Sequence, residues 1–95
     1  LGLEATLLIL DFAFNKVNLN KITSIVYEDN PSSQQNALAL GFIQESILRD
    51  HIFDSASGKF LNLLGNGMTI TDFRSNSRIA KLSDRILGKN ITLAP

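Results

Sequence analysis

Nine of the twelve residues from Leu3 to Phe14 are apolar, and this run constrains the fold more than any other part of the chain. Wound as a helix through Lys16, it leaves one polar line, Glu4, Asp11 and Asn15 at i, i+7 and i+11. A helix with so narrow a polar stripe is expected to be covered on nearly every side. The rest of so short a chain gives little cover. Either this helix is the centre of a small domain, or a second chain or a missing part of this one covers it. The chain opens on Leu1 rather than Met, with no capping residue ahead of the helix, so we expect residues to precede it.

Ninety-five residues make one domain, not two. Nine basic residues balance nine acidic ones, so no bulk field exists to hold nucleic acid or an anionic membrane. The absence of cysteine excludes a disulfide scaffold, a thiolate nucleophile and a sulfur-ligated metal. A single histidine, His51, cannot build a multi-histidine metal site. No apolar run reaches the ~18 residues of a membrane span, and no signal-peptide pattern opens the chain, so a cytoplasmic protein is expected.

The fold class expected is α/β (α+β), in the order α-β-α-β-β-α with a mixed three-stranded sheet. Lys21 to Glu28 reads as a buried strand. Asn30 then caps a helix with Pro31 in its first turn, running from about Ser32 to Leu40 and stopped by Gly41. Phe42 to Phe53 and Lys59 to Met68 make a hairpin around the turn 54–58, with Gly65 and Gly67 as possible bulge markers. Thr69 and Asp72 have the spacing of a capping box ahead of one amphipathic helix ending near Gly88.

The unit with chemical content is strand, Asn30-Pro31-Ser32-Ser33, helix, Gly41-Phe42. A helix start at the carboxyl end of a strand offers N–H groups and a partial positive charge, and Asn30 and Ser33 add polar side chains there. This suits an amide-rich or anionic ligand, or a developing oxyanion. It also suits an ordinary helix cap.

Asn30-x-x-Ser33 followed by Leu40-Gly41-Phe42 resembles the second cofactor motif of the GCN5-related N-acetyltransferases. Ile47 to Phe53, Gly58-Lys59-Phe60 and Gly67-Met68-Thr69 resemble the branch that acetylates ribosomal-protein N-termini. Leu1-Gly2-Leu3-Glu4-Ala5 resembles the end of that family's pyrophosphate loop and the start of its helix. The likeness covers residues 1–73, the carboxyl-terminal half of such a domain, with 74–95 as a helical extension. It implies acetyl-CoA as acyl donor, a primary amine as acceptor and no metal. Leu1, Gly2 and Leu3 would meet the pyrophosphate, Asn30 the pantetheine arm, and Ser33 would protonate the leaving thiolate. The family's general-acid tyrosine position is Ala37 here, and Tyr27 does not match it. The base belongs to the half not represented.

Other residues carry less. His51 beside Asp50 could suggest a proton shuttle, but neighbours on a strand face opposite ways. Arg49 and His51 are expected to share one face. Glu28-Asp29 lacks a third metal ligand. Arg74, Arg78, Lys81 and Arg85 recur at helical spacing and read as a solvated face, or as a phosphate-contact row. The leading reading is an N-acetyltransferase fragment, inactive or weak alone. The alternative is a non-catalytic dimerisation or assembly module, suggested by the apolar helix and by an edge at strand 21–28. A homo-oligomer or a missing amino-terminal half is the expected partner, and neither nucleic acid nor membrane is expected.

Overall fold

The computed structural model describes residues 2–94. Helix α1 spans Leu3–Asp11 and passes directly into a π-helical turn, Phe12–Lys16, where the Val17 N–H donates to the Phe12 carbonyl at 2.9 Å. Strand β1 (Lys21–Tyr27), helix α2 (Pro31–Leu40), strand β2 (Ile43–Asp54) and strand β3 (Lys59–Thr69) follow. Two short helices end the chain, α3 (Ile70–Arg74) and α4 (Ser77–Leu87).

The strand order is β1-β3-β2. β2 pairs antiparallel with β3, from Ile43 opposite Gly67 to Asp54 opposite Lys59. β1 also runs antiparallel to β3, since the Ile70 N–H donates to the Asn20 carbonyl and the Glu28 N–H to the Asn62 carbonyl. β1 and β2 are therefore parallel to each other, as a strand–helix–strand unit requires, with β3 between them. β1 is an edge. It is not the buried strand expected: Val26 is its one buried residue, and Ile25 is 60% exposed. β-branched composition signals a pleated backbone and says little about which faces are covered.

The chain divides into two compact units. The first holds the residues up to Ile22 and from Met68 onward; the second is Thr23–Gly67. In the first, Leu7, Leu10, Ala13 and Phe14 are buried with Met68, Phe73, Ile79 and Ile91. Phe14 and Phe73 stack at 4.6 Å between ring centroids. Each such side chain contributes about 1.5–3 kcal/mol on leaving water. Segment 74–95, read as an extension, supplies Ile79, Ser83, Ile91 and Thr92 to this interior.

Three features of these helices depart from the sequence reading. α1 and its π-helical turn are not covered all round: Leu8, Ile9 and Phe12 are exposed, Phe12 at 61%. Its polar line does not face solvent uniformly either. Asp11 is buried, paired with Lys89 at 3.3 Å, and the Asn15 amide donates to Asp11 Oδ1 (2.6 Å) and to the Ile91 carbonyl (2.8 Å). The C-terminal tail supplies these partners, and no helical periodicity announces them. The single helix expected after Thr69 is two. The capping box forms as expected between Thr69 and Asp72, but Asn76 then accepts the Ile79 N–H at 2.9 Å and caps a second helix. A mid-segment Asn offers the backbone an alternative to continued helix.

In the second unit Gly41 (φ 115°) ends α2 with the Phe42 N–H on the Ala37 carbonyl and its own N–H on Leu38, both 3.1 Å. The hairpin is irregular twice. Gln44 faces Asn66 while Ser46 faces Gly65, so Glu45 is the extra residue of a bulge. A Cβ at Gly65 would meet the Ser46 hydroxyl, which would have to rotate aside. The bulge thus lies on β2, opposite the glycine that marked it.

Candidate functional site

Helix α2 begins as its composition dictates. Pro31 holds the first helical position, where its missing N–H matters least. Asn30 Oδ1 accepts the Ser33 N–H at 3.3 Å and the Ser32 hydroxyl at 3.2 Å, and the Asn30 carbonyl accepts the Gln34 N–H at 3.3 Å. The cap consumes the Ser33 and Gln34 N–H groups and leaves that of Ser32. The turn is thus less rich in unpaired amides than its sequence suggested. Asn30 and Ser32 are exposed and Ser33 is half-buried, so Ser32's N–H and the polar side chains of Asn30 and Ser33 form the available surface. Tyr27, at the end of β1, is exposed, and its carbonyl accepts the Asn30 N–H at 3.0 Å.

The first turn of α2 is held in a way its sequence did not announce. Gln34 is buried and exchanges two hydrogen bonds with Asn66 of β3: Gln34 Nε2 donates to Asn66 Oδ1 at 2.9 Å, and Asn66 Nδ2 returns one to Gln34 Oε1 at 2.8 Å. Gln34 Nε2 also reaches Gln44 Oε1 of β2 at 3.1 Å. Asn66 stands between Gly65 and Gly67, and a lone amide in that small-residue stretch was the readable signal.

The start of α1, taken by itself, is open. Gly2 is its N-cap with an extended backbone (φ −69°, ψ 158°) and no side-chain cap. Its carbonyl accepts the Thr6 N–H at 3.0 Å, so the helix begins there and its first N–H groups have no helical partner. A Cβ at Gly2 would meet nothing within 4 Å. Among the described residues no crowding therefore demands a glycine. Glu4 puts an acid in the first turn, so an anion here would be held by backbone N–H groups alone. Leu3 is exposed, and Leu1 lies outside the described residues.

The face assigned to Arg49 and His51 does not exist as expected. Between Leu48, opposite Leu63, and Ile52, opposite Leu61, β2 carries three residues against Asn62 alone. Asp50 adopts φ 47°, and its N–H donates to Asn62 Oδ1 at 2.8 Å. Strict alternation fails across 49–51, and all three residues are exposed. The arginine row is interrupted too. Arg74 lies 5.4 Å over the Phe73 ring and donates to the Thr92 carbonyl at 3.2 Å, while Arg78, Lys81 and Arg85 belong to the separate α4. Among the described residues no three carboxylates and histidines gather as a metal site, and no helix is long and apolar enough to cross a membrane.

No family profile matches the chain, and no curated protein matches it. Solved structures do. A protein provisionally described as an acetyltransferase superposes with a TM-score of 0.75 at 25% identity, covering 87% of this chain and 43% of its own. A variant of the spermidine/spermine N-acetyltransferase SpeG from Vibrio cholerae gives 0.71 at 23% identity, with 78% and 43% covered. The dodecameric form of that spermidine N-acetyltransferase also gives 0.71 at 23%, with 78% and 42% covered. The chain spans about two fifths of the length of these structures. Its three-stranded sheet and helices are part of the acyl-CoA N-acyltransferase fold that these acetyltransferases share.

Proposed function

We infer that the chain is the carboxyl-terminal, coenzyme-binding half of an N-acetyltransferase that moves an acetyl group from acetyl-CoA to a primary amine. The observation that carries this reading is the cap of α2, where a proline-started helix at the end of β1 presents Asn30, Ser32 N–H and Ser33 on a sheet of this fold. Asn30 and Ser32 suit the amides of the pantetheine arm. The open first turn of α1, from Gly2 and Leu3, suits the pyrophosphate, and the bare space at Gly2 lets a ligand approach the backbone. Leu1 completes the set that the family resemblance assigns to the coenzyme.

The chemistry is direct transfer. A neutral amine attacks the thioester carbonyl carbon, the C–N bond forms and the C–S bond breaks. The departing thiolate takes a proton from the Ser33 hydroxyl or from water, and the amine's surplus proton goes to solvent. Acceptors of the class named for the similar structures, small polyamines, and the N-termini of proteins both fit a primary-amine requirement. Titration calorimetry with acetyl-CoA tests the reading: saturable heat is expected, and its absence at millimolar ligand leaves a shared fold only.

A second reading rests on its own observation. The β1 edge and the exposed Leu8 and Ile9 of α1, with Phe12 of the π-helical turn, are surfaces that assembly covers. In that reading the chain is a dimerisation or assembly module built on the same half-fold. Sedimentation equilibrium showing a monomer across micromolar to millimolar concentration would discard it.

A further inference from the structure

The amino-terminal half of α2, Pro31-Ser32-Ser33-Gln34-Gln35-Asn36, contains no aliphatic or aromatic anchor beyond its proline, and Pro31 is exposed. The helix's apolar residues, Ala37 to Leu40, all lie in its last turn, where Leu40 is buried. Hydrophobic packing can therefore secure only the far end of the helix. In the half that carries Asn30 and Ser33, the one buried side chain is Gln34, and it is satisfied by amides rather than by packing. Asn66, 1% exposed in β3, closes a reciprocal pair with it, and Gln44 adds a third point from β2.

The geometry points to Gln34 and Asn66 as positioning residues: their amide pair pins the first turn of α2 to the sheet and so sets where Asn30, Ser32 N–H and Ser33 stand toward the coenzyme arm. This inference rests on the coenzyme reading above. Two planar amides meeting head to tail fix distance and orientation together, which an aliphatic contact does not. The pair spans two adjacent elements directly, since Gln34 Nε2 and Asn66 Oδ1 are 2.9 Å apart. Shortening one partner by a methylene breaks both bonds at once. Exchanging the two side chains restores their combined reach.

The test uses the whole chain and four proteins: unchanged, Gln34→Asn, the exchange Gln34→Asn with Asn66→Gln, and Leu63→Ala. The last alters a buried β3 residue outside the amide pair and controls for general loss of stability. Acetyl-CoA affinity and backbone amide exchange are measured together. Expected are at least a tenfold loss of affinity in Gln34→Asn, less than twofold in Leu63→Ala at comparable melting temperature, and recovery to within threefold in the exchange. Unchanged affinity in Gln34→Asn overturns the inference. So does an exchange variant that regains melting temperature but not affinity. If the unchanged chain binds no acetyl-CoA, the coenzyme reading fails separately, and amide exchange decides the positioning role. Faster exchange at residues 33–35 in Gln34→Asn than in Leu63→Ala upholds it; equal rates overturn it.

Discussion

Replacing Ser83 by alanine should destabilise this protein, although the same change in the interior of an exposed helix would normally help. Ser83 is fully buried on α4, donates its hydroxyl proton to the Ala80 carbonyl at 3.3 Å and accepts the Ile91 N–H at 3.1 Å. Alanine has the better helix propensity by about 0.5 kcal/mol. Against that, the buried Ile91 N–H loses its acceptor, which costs about 1–3 kcal/mol. The net expectation is a loss of about 0.5–2.5 kcal/mol, from a total of about 5–14 kcal/mol for a chain this long. With a urea slope of about 1–1.5 kcal/mol/M, the unfolding midpoint should fall by about 0.3–2.5 M. Urea titration followed by circular dichroism measures it, with the exposed Arg85→Ala as a control expected within about 0.5 kcal/mol. Hydrogen exchange should show the Ile91 amide deprotected more than its neighbours. A midpoint equal to or above that of the unchanged protein, with Ile91 exchanging as slowly as before, would refute the claim that this hydroxyl ties the C-terminal tail to α4.

Gly2→Ala should cost about 0.5–1.5 kcal/mol, because alanine is a much poorer N-cap than glycine although a Cβ there meets nothing within 4 Å, and it should also weaken acetyl-CoA binding in calorimetry. Equal affinity would remove Gly2 from the site. Asn30→Ala should cost about 1 kcal/mol through the lost cap on Ser33 and Ser32, read as a lower urea midpoint. Burial pushes the Asp11 carboxyl up, but the Asn15 amide and the Lys89 ammonium outweigh it and hold its pKa below the ordinary value. A depressed carboxylate stabilises the fold above its unfolded pKa, about 3.9, and that contribution is lost as pH falls through the folded value. Stability of the unchanged protein should therefore drop more steeply below about pH 4 than that of Asp11→Asn, and parallel pH curves would contradict the pairing.

Wherever local chemistry is sufficient, the sequence alone decided the outcome. Pro31 with Asn30, the Thr69–Asp72 box, and Gly41 and Gly88 in left-handed conformations all depend on residues within a turn of one another. Backbone donors and acceptors at a helix end must be satisfied nearby, so their partners are written nearby. The order of strands and helices and the Asn30 cap on Ser33 were legible for the same reason. Burial was not. Asp11, on the polar line of the first helix, is buried against Lys89, which stands more than seventy positions away in sequence, and Ile25, an expected core residue, is exposed on an edge. The Gln34–Asn66 amide pair joins residues thirty-two positions apart, and the two-residue excess of β2 at Arg49 to His51 depends on the register that β3 imposes. A side chain's partner across an element is set by topology, and periodicity along one element carries no record of what lies opposite.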